Sequence, residues 1–164
     1  MLSVQRAAFG SEEEANLVRD LIDDPSAKPF VSLLAFHSGR AVGHILFTKA
    51  HLEPAAPLSV SILAPLAVVP GFQKMGVGSE LIRHGFRVLS ESAVDLVFVL
   101  GYPEYYSRHG FKPAETLGFN ASYPIPEQNA DAWMVRALSP GAIGAYEGKV
   151  ICADVLNNPE YWRE

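Results

Sequence analysis

The sequence predicts an α/β fold, because two apolar strand segments flank one amphipathic helix. The apolar run from Ile62 to Val69 has the length of a buried or half-buried strand. Between Gly78 and Ser90 the apolar residues fall on one side of a helix and the charged residues lie elsewhere. Val94 to Leu100 is nearly unbroken apolar sequence, which is typical of a strand covered on both faces. We therefore expect strand, helix and strand at the centre of one domain spanning residues 1–164.

Composition and charge exclude several classes of protein. Hydrophobic residues make up 49% and charged residues 19%, an ordinary globular balance. A formal net charge of −5 without a Lys/Arg cluster argues against a nucleic-acid partner and mildly favours a cationic substrate such as an amine. Neither a bilayer-spanning apolar run nor a signal peptide is evident, so we expect a cytoplasmic protein without a membrane partner. Cys152, the only cysteine, is expected to be a small buried residue.

Further elements lie before and after this centre. Ser11 begins a predicted helix with a capping box, and its acidic residues Glu12 to Glu14 are best explained as caps, with a role in holding a cationic substrate as the alternative. Two strands, Val31 to His37 and Ala41 to Lys49, form a predicted hairpin. Another strand is expected from Ala130 to Leu138. The tail beyond Gly148 is expected to pack on the body through aromatic anchors.

A glycine-rich turn joins the Ile62–Val69 strand to the helix. Gly76 and Gly78 lack a Cβ, so their backbone can lie close to a ligand or adopt unusual dihedrals. The helix is expected to begin at about Val77, where its first N–H groups have no partner within the helix. Together with the helix dipole, these groups make a site suited to a phosphate, and Lys74 adds a positive charge at its rim.

Two common phosphate motifs do not fit this turn. The P-loop string is absent, and the dinucleotide fingerprint requires a third glycine where Leu81 stands. The pattern that fits is Gln-x-x-Gly-x-Gly, formed by Gln73, Gly76 and Gly78 directly after a strand. Downstream, Tyr106 to Phe111 reads Tyr-x-x-x-Gly-Phe.

With these two motifs in this order, the chain resembles the GNAT superfamily of N-acetyltransferases. The strings from Leu63 to Val68 and from Tyr105 to Phe111 are similar to one bacterial branch, the YhbS-like predicted acetyltransferases. The resemblance runs from about Phe9 to the C-terminus and is strongest between Leu63 and Phe111.

The resemblance implies the GNAT fold, of the α+β type, with a mixed and mostly antiparallel central sheet that is flanked by helices and splayed at the acetyl-CoA-binding strand. Pro65 inside that strand also indicates an edge position or a bulge. In the family, the pantetheine arm pairs with the free backbone groups as if it were another strand. A GNAT domain usually opens with a strand and a helix. Here Val4 to Gly10 looks like the tail of that helix, so the first strand is expected to be missing.

The resemblance also implies that acetyl-CoA is the cosubstrate. Its expected contacts are Leu66, Ala67, Val68, Gln73, Lys74, Met75, Gly76, Val77, Gly78, Ser79, Tyr102 and Tyr106. Tyr106 matches the family's general acid, which protonates the leaving thiolate, and Tyr105 is the near alternative. A free N–H near Val68 is expected to stabilise the developing oxyanion.

The base and the acceptor cannot be read from the sequence. His44, His51, Glu53 and Glu104 are candidates for the base by rough location only. His37, His84 and His109 have no metal-ligand spacing, so no metal is expected. Three hypotheses follow: an acetyltransferase acting on a small-molecule or peptide amine, a degenerate domain that senses acetyl-CoA, and a nucleotide-binding protein. A homodimer is one expectation for the assembly.

Overall fold

The computed structural model describes residues 1–10 and 12–162. Within them the α-helices are α1 Leu2–Phe9, α2 Glu13–Asp23, α3 Val77–Glu91 and α4 Pro103–Tyr106. The strands are β1 Val31–His37, β2 Arg40–Glu53, β3 Val60–Val68, β4 Leu96–Leu100, β5 Lys112–Pro113, β6 Phe119–Asn120, β7 Trp133–Ala137 and β8 Gly148–Ile151. None of the helices in these ranges has the length and hydrophobicity to cross a bilayer.

The strands form a mixed and mostly antiparallel sheet, in agreement with the predicted fold class. Its order is β5-β7-β4-β3-β2-β8-β6, and β1 pairs with β2. β3 runs parallel to β4, whereas its other neighbour, β2, is antiparallel to it. β3, α3 and β4 are the strand-helix-strand centre predicted from the sequence. Two parallel strands need a crossover connection between them, and α3 provides it.

Helices cover both faces of the sheet. On one face Leu81 and Ile82 of α3 pack with Phe47 of β2. On the other face Leu17 and Leu21 of α2 belong to a cluster that also contains strand residues and the C-terminal segment. The apolar stripe of α3 predicted from its helical period is the stripe that is buried.

The ends of several elements differ from the predictions. β2 continues past Lys49 to Glu53, because its last residues pair with β8. The strand expected from Ala130 begins at Trp133, since residues 127–132 form a 3₁₀ turn. Gly10 ends α1 in the left-handed conformation, as predicted. The predicted capping residue Ser11 lies outside the described residues.

The tail packs on the body as predicted. Trp162 is 2% exposed, and its ring contacts that of Trp133 at a centroid distance of 5.3 Å. Cys152 is buried, and burial raises the pKa of its thiol to about 12, so the thiol stays protonated. This confirms the prediction of a buried structural cysteine.

β3 and β4 separate halfway along β3. Their pairing runs from Val60 opposite Leu96 to Leu63 opposite Val99. Beyond Leu63, β3 stays with β2 as far as Val68, and the β2–β3 register shifts opposite the segment that contains proline 65. The bulge predicted from that proline is therefore present, and residues 64–68 of β3 have one edge turned away from β4.

Candidate active site

The direction of each backbone group along the open edge follows from one hydrogen bond. The Val69 N–H donates to the carbonyl of Val42 on β2 at 2.8 Å, so the backbone of Val69 faces β2. Because backbone direction alternates along a strand, Ala67 also faces β2, whereas Leu66 and Val68 direct their N–H and C=O groups into the gap beside β4. The open edge thus offers the N–H and C=O of Leu66 and the N–H of Val68, while the Val68 carbonyl accepts from Gln73 and Ala67 is turned the other way.

The glycine turn closes one end of this gap. The Gln73 side-chain amide donates to the Val68 carbonyl at 3.1 Å and ties the turn to the open edge. Lys74 and Gly76 have φ of 63° and 83°, and Gly76 is the N-cap of α3. A Cβ at Gly76 would meet no atom within 4 Å, so the space in front of the helix N-terminus is open. Here the first N–H groups of α3 face a position suited to an anion.

The two tyrosines of the second motif lie in different environments. Tyr105 is half-buried beside the first turn of α3, where its hydroxyl hydrogen-bonds with Ser79. Burial raises the pKa of Tyr105, although the Ser79 hydrogen bond and the charge of Arg108 act in the opposite direction. Ser79 Oγ also lies 3.5 Å from Nε2 of His109. The sequence did not reveal that Ser79, Tyr105 and His109 lie together, because they belong to two separate motifs.

Tyr106 is 8% exposed and packs against Phe111, with ring centroids 5.6 Å apart and the rings nearly perpendicular. A Cβ at Gly101 would overlap its ring, so the absence of a side chain there makes room for Tyr106. Burial is the main cause that raises the pKa of Tyr106, and Tyr105 adds to it. The Tyr106 hydroxyl therefore keeps its proton at neutral pH.

Gly110, the glycine of Tyr-x-x-x-Gly-Phe, is required by its backbone conformation and by a close neighbour. Gly110 has φ 82° and ends the 3₁₀ turn Ser107–His109. A Cβ there would strike the guanidinium of Arg136, which donates to the His109 carbonyl at 2.7 Å. Arg136 thereby fixes the end of the tyrosine-bearing segment to β7.

The remaining residues of the predicted cofactor set are Lys74, Met75 and Val77 at the turn and Tyr102 at the start of α4. Met75 is 64% and Tyr102 82% exposed, and Lys74 is also exposed, so all three side chains are free to contact a ligand. Val77 is half-buried, packed against the α3-side core.

The candidates for the base lie apart from the gap. His44 is fully buried, with Nδ1 2.7 Å from Gln5 Nε2 and Nε2 2.8 Å from Ser32 Oγ. His51 and Glu53 pair with β8 at the far end of β2. They are eight and ten residues from Gly43, the partner of Val68, which is roughly 25–35 Å of strand. His51 and Glu53 are therefore remote from the open edge, whereas His44 pairs with Ala67 but has both ring nitrogens occupied by Gln5 and Ser32.

Glu104, the fourth candidate, is exposed on α4, one residue from Tyr105. Within residues 1–10 and 12–162, no three His, Cys, Asp or Glu side chains are grouped in a way that could hold a metal ion.

Comparisons with known proteins agree with this geometry. The sequence model of the Acetyltransferase (GNAT) family matches residues 1–111. The uncharacterized N-acetyltransferase YjhQ of Escherichia coli (strain K12) is 49% identical over 154 residues, which are 92% of this chain and 84% of YjhQ. The uncharacterized N-acetyltransferase YhbS of the same strain is 30% identical over 146 residues, covering 88% of this chain and 84% of YhbS.

Two crystal structures are closely similar to the structure of this protein. YhbS from Escherichia coli in complex with CoA superposes with a TM-score of 0.85 and 28% identity, over 95% of this chain and 84% of that one. A GNAT family acetyltransferase from Brucella melitensis in complex with acetyl-CoA gives 0.73 and 26%, over 94% and 88%. From the family match, the 49% identity to YjhQ and the structural similarity to YhbS, we conclude that the chain belongs to the GNAT family of N-acetyltransferases.

Proposed function

We propose that this protein transfers the acetyl group of acetyl-CoA directly to an amine, and that acetyl-CoA lies along the open edge of β3. The observation that carries the proposal is the continuous path from Leu66 and Val68 to the N-terminus of α3. A pantetheine arm needs unpaired strand backbone, and a pyrophosphate needs unpaired helix N–H groups. Both lie on this path, joined by the hydrogen bond from Gln73 to Val68.

The residues present fit acetyl-CoA in shape and charge. The space in front of Gly76 is open, so a pyrophosphate can approach the backbone there. We assign pyrophosphate contacts to the turn from Gln73 to Ser79, and pantetheine contacts to the backbone of Leu66 and Val68. Ala67 contributes by holding the edge against β2. Met75 in the turn and Tyr102 at the start of α4 are assigned outer contacts because their side chains are exposed.

Acetyl-CoA supplies an acyl group on a good leaving group, the thiolate. In the transfer, the amine nitrogen forms a bond to the acetyl carbon and the carbon–sulfur bond breaks. The amine loses one proton to solvent, and the thiolate gains one. We assign the Val68 N–H to the acetyl oxygen, where negative charge develops. Tyr106 is assigned to donate the proton to sulfur, because it stands in the Tyr-x-x-x-Gly-Phe motif and a tyrosine hydroxyl is protonated at neutral pH.

Binding and turnover test the proposal separately. In a thermal-shift panel of acetyl-CoA, CoA, ATP and NAD, acetyl-CoA and CoA should stabilise the protein, by about 2.7 kcal/mol at a hundredfold excess over Kd. A shift with ATP or NAD alone would instead favour a nucleotide-binding protein. Thiol release from acetyl-CoA in the presence of an amine library then measures turnover. Stabilisation by acetyl-CoA without turnover on any amine would favour the sensor hypothesis.

A further inference from the structure

A small apolar cavity lies at the point where β3 and β4 separate. It has a volume of about 140 Å³, and its lining residues are Leu17, Ile62, Leu63, Ala64, Leu100, Leu156, Tyr161 and Trp162. Leu63 is the last β3 residue paired with β4, and Leu100 is the last residue of β4. The cavity is therefore next to the gap in which we place acetyl-CoA. A larger cavity of about 340 Å³ is lined mostly by residues 120–125, with Trp133 of β7 and Lys149 of β8.

The cavity is on the face of the sheet opposite α3. Leu17 belongs to α2, and Ile62 and Trp162 pack in the same core cluster, whereas α3 packs in a different one. A molecule bound in the cavity would therefore reach the gap from the face of the sheet opposite the α3 N-terminus. An acceptor must approach the acetyl group from a side that the rest of acetyl-CoA leaves free.

The C-terminal segment forms one wall of the cavity and is held firmly in place. The Trp162 indole N–H donates to the Leu156 carbonyl at 3.0 Å. Upstream, the Val155 N–H donates to Asp24 at 3.0 Å, which ties the segment to the end of α2. Both Leu156 and Trp162 are buried. The wall is therefore part of the folded structure, and the cavity has a defined size.

Negative charge surrounds the exposed side of this wall. Tyr161 is 38% exposed, and the carboxylates of Glu160, Asp20 and Glu13 add to burial in raising its pKa, so all three lie near it. Among the described residues, Arg19 lies 3.7 Å from Asp20 and offsets part of this charge. The net charge of these groups is negative, which attracts an ammonium ion.

We propose that this cavity, which we call the vertex cavity, binds the acceptor, and that the acceptor is a primary amine carried by an apolar group about as large as a benzene ring. The proposal rests on the proposed acetyltransferase function. Cavities of about 150 Å³ lined by aliphatic side chains are known to accept benzene, which sets the size. The apolar lining excludes a polar sugar or a charged peptide, because their polar groups would lose hydration without gaining partners.

The chemistry at the vertex cavity suits such an amine. The acidic groups near Tyr161 attract the ammonium form to the mouth, where it loses one proton to solvent before the neutral nitrogen attacks. The neutral nitrogen then bonds to the acetyl carbon of acetyl-CoA, the thiolate leaves and takes up a proton, and the amine releases one proton to solvent. The product is an N-acetyl amide, which carries no charge and is released from the acidic mouth.

Calorimetry on the intact protein tests the binding step without turnover, using saturating CoA in place of acetyl-CoA. The probes are 2-phenylethylamine, 2-phenylethanol, which lacks the ammonium group, and ethanolamine, which lacks the ring. We expect 2-phenylethylamine to bind at least tenfold more tightly than either. Its binding should also change the tryptophan fluorescence, and a Trp162→Phe variant should lose most of that change.

Two variants test the location. Leu100→Trp should fill the cavity and weaken 2-phenylethylamine binding at least tenfold. Leu17→Ala should enlarge it and improve the binding of 2-(1-naphthyl)ethylamine relative to 2-phenylethylamine. The thermal shift with acetyl-CoA should persist in both, which shows that they are folded. For the charges, Asp20→Asn should weaken amine binding about threefold at low salt and Arg19→Gln should strengthen it, while Glu91→Gln on the far end of α3 should do neither.

The outcomes separate the two proposals. If acetyl-CoA binds but 2-phenylethylamine binds no better than ethanolamine, the acceptor assignment is overturned and the acetyltransferase proposal stands. If Leu100→Trp leaves amine binding unchanged, the amine binds elsewhere and the location is overturned. If acetyl-CoA fails to bind, the proposed function is lost, and titration of the amine without CoA still decides whether the vertex cavity binds it.

Discussion

The hydroxyl of Tyr105 occupies the space in which a side chain at Gly78 would lie. A Cβ at Gly78 would overlap that hydroxyl, whereas the next ring atom, Cζ, would be 3.5 Å away, an ordinary contact. At Gly76 a Cβ would meet nothing within 4 Å, but φ is 83°. The two glycines of one motif therefore serve different purposes. Gly78 makes room for a residue of the other motif, and Gly76 permits the backbone turn.

This relationship predicts a specific double-mutant result. Gly78→Ala should destabilise the protein by about 1–3 kcal/mol through overpacking. Tyr105→Phe removes the one atom that clashes, so Gly78→Ala should cost much less in that background. Urea unfolding of the wild type, both single variants and the double variant measures the coupling. An equal cost in both backgrounds would exclude the Tyr105 contact as the cause.

Gly76→Ala provides a contrast at the same turn. Its cost should be about 1 kcal/mol, from the left-handed backbone alone, and Tyr105→Phe should not relieve it. Gly76→Val should in addition abolish the thermal shift with acetyl-CoA, because its side chain would stand where we place the pyrophosphate. A retained shift in this variant would falsify the assignment of the turn.

Substitutions at Tyr105 and Tyr106 should have different effects on kcat. Tyr106→Phe should lower kcat by roughly 10²–10⁴-fold and leave the affinity for acetyl-CoA nearly unchanged, because only the leaving-group proton is removed. Tyr105→Phe is the matched control and should leave kcat within a few-fold, since its hydroxyl contacts Ser79 at the α3 N-terminus. Steady-state kinetics of both variants, with any amine that the enzyme accepts, decides which tyrosine is the acid. If Tyr105→Phe is the impaired variant, the half-buried tyrosine is the acid.

His44 should make the protein less stable in mild acid. Burial, aided by the positive charge of the amino terminus, lowers its pKa from 6.5 to about 4. Between these values the unfolded chain binds a proton that the folded protein does not, so stability falls as pH decreases below 6.5. At pH 5 the loss should be about 2 kcal/mol. Urea unfolding between pH 7.5 and 5 should show this slope, and His44→Gln should reduce it.

The control for this experiment is His84→Gln, on the exposed face of α3. We expect it to leave the slope nearly unchanged. If His84→Gln flattens the slope as much as His44→Gln does, the buried Gln5–His44–Ser32 chain is not its source.

Asp24 should stabilise the C-terminal wall in a manner that depends on pH. Its carboxylate accepts hydrogen bonds from the Ser26 hydroxyl and N–H, at 2.7 and 2.8 Å, and from the Val155 N–H at 3.0 Å. Burial alone would raise the pKa of Asp24, but these hydrogen bonds lower it below 3.8 overall. The stabilisation is therefore present above about pH 4 and is lost as pH falls through the lowered pKa.

Asp24→Asn should accordingly cost about 2 kcal/mol at pH 7 and less near pH 3. Hydrogen exchange in the segment from Val155 to Trp162 should accelerate in the same variant. The neighbouring Asp23→Asn, at an exposed position, is the matched control. Equal losses in both variants, or a loss independent of pH, would contradict this role of Asp24.

The sequence by itself determined the parts that depend on local pattern. Apolar periodicity predicted β3, α3 and β4. The side chains on one face of a strand recur at every second residue, and those on one face of a helix recur about every 3.6 residues. Pro65 predicted the bulge, since proline cannot take part in a regular ladder. The two glycine motifs identified the family, because each requires a backbone that few other residues permit. Each of these features is encoded within one short run of consecutive residues.

Only the tertiary structure decided which groups come together. That Leu66 and Val68 face the gap depends on the register with β2 and on where β4 turns away, and neither is a local property. His44 looked equivalent to His51 as a candidate base, yet α1 buries the first and β8 pairs with the second.

The vertex cavity is the clearest case of a feature that the sequence alone could not reveal. Its walls come from Leu17, Ile62, Leu100 and Trp162, which span most of the chain and carry no pattern that links them. Apolar residues at these positions satisfy helix or strand periodicity whether they fill a core or line a space. The difference lies in how closely distant side chains pack, and close packing is decided only when the sheet, α2 and the C-terminal segment meet.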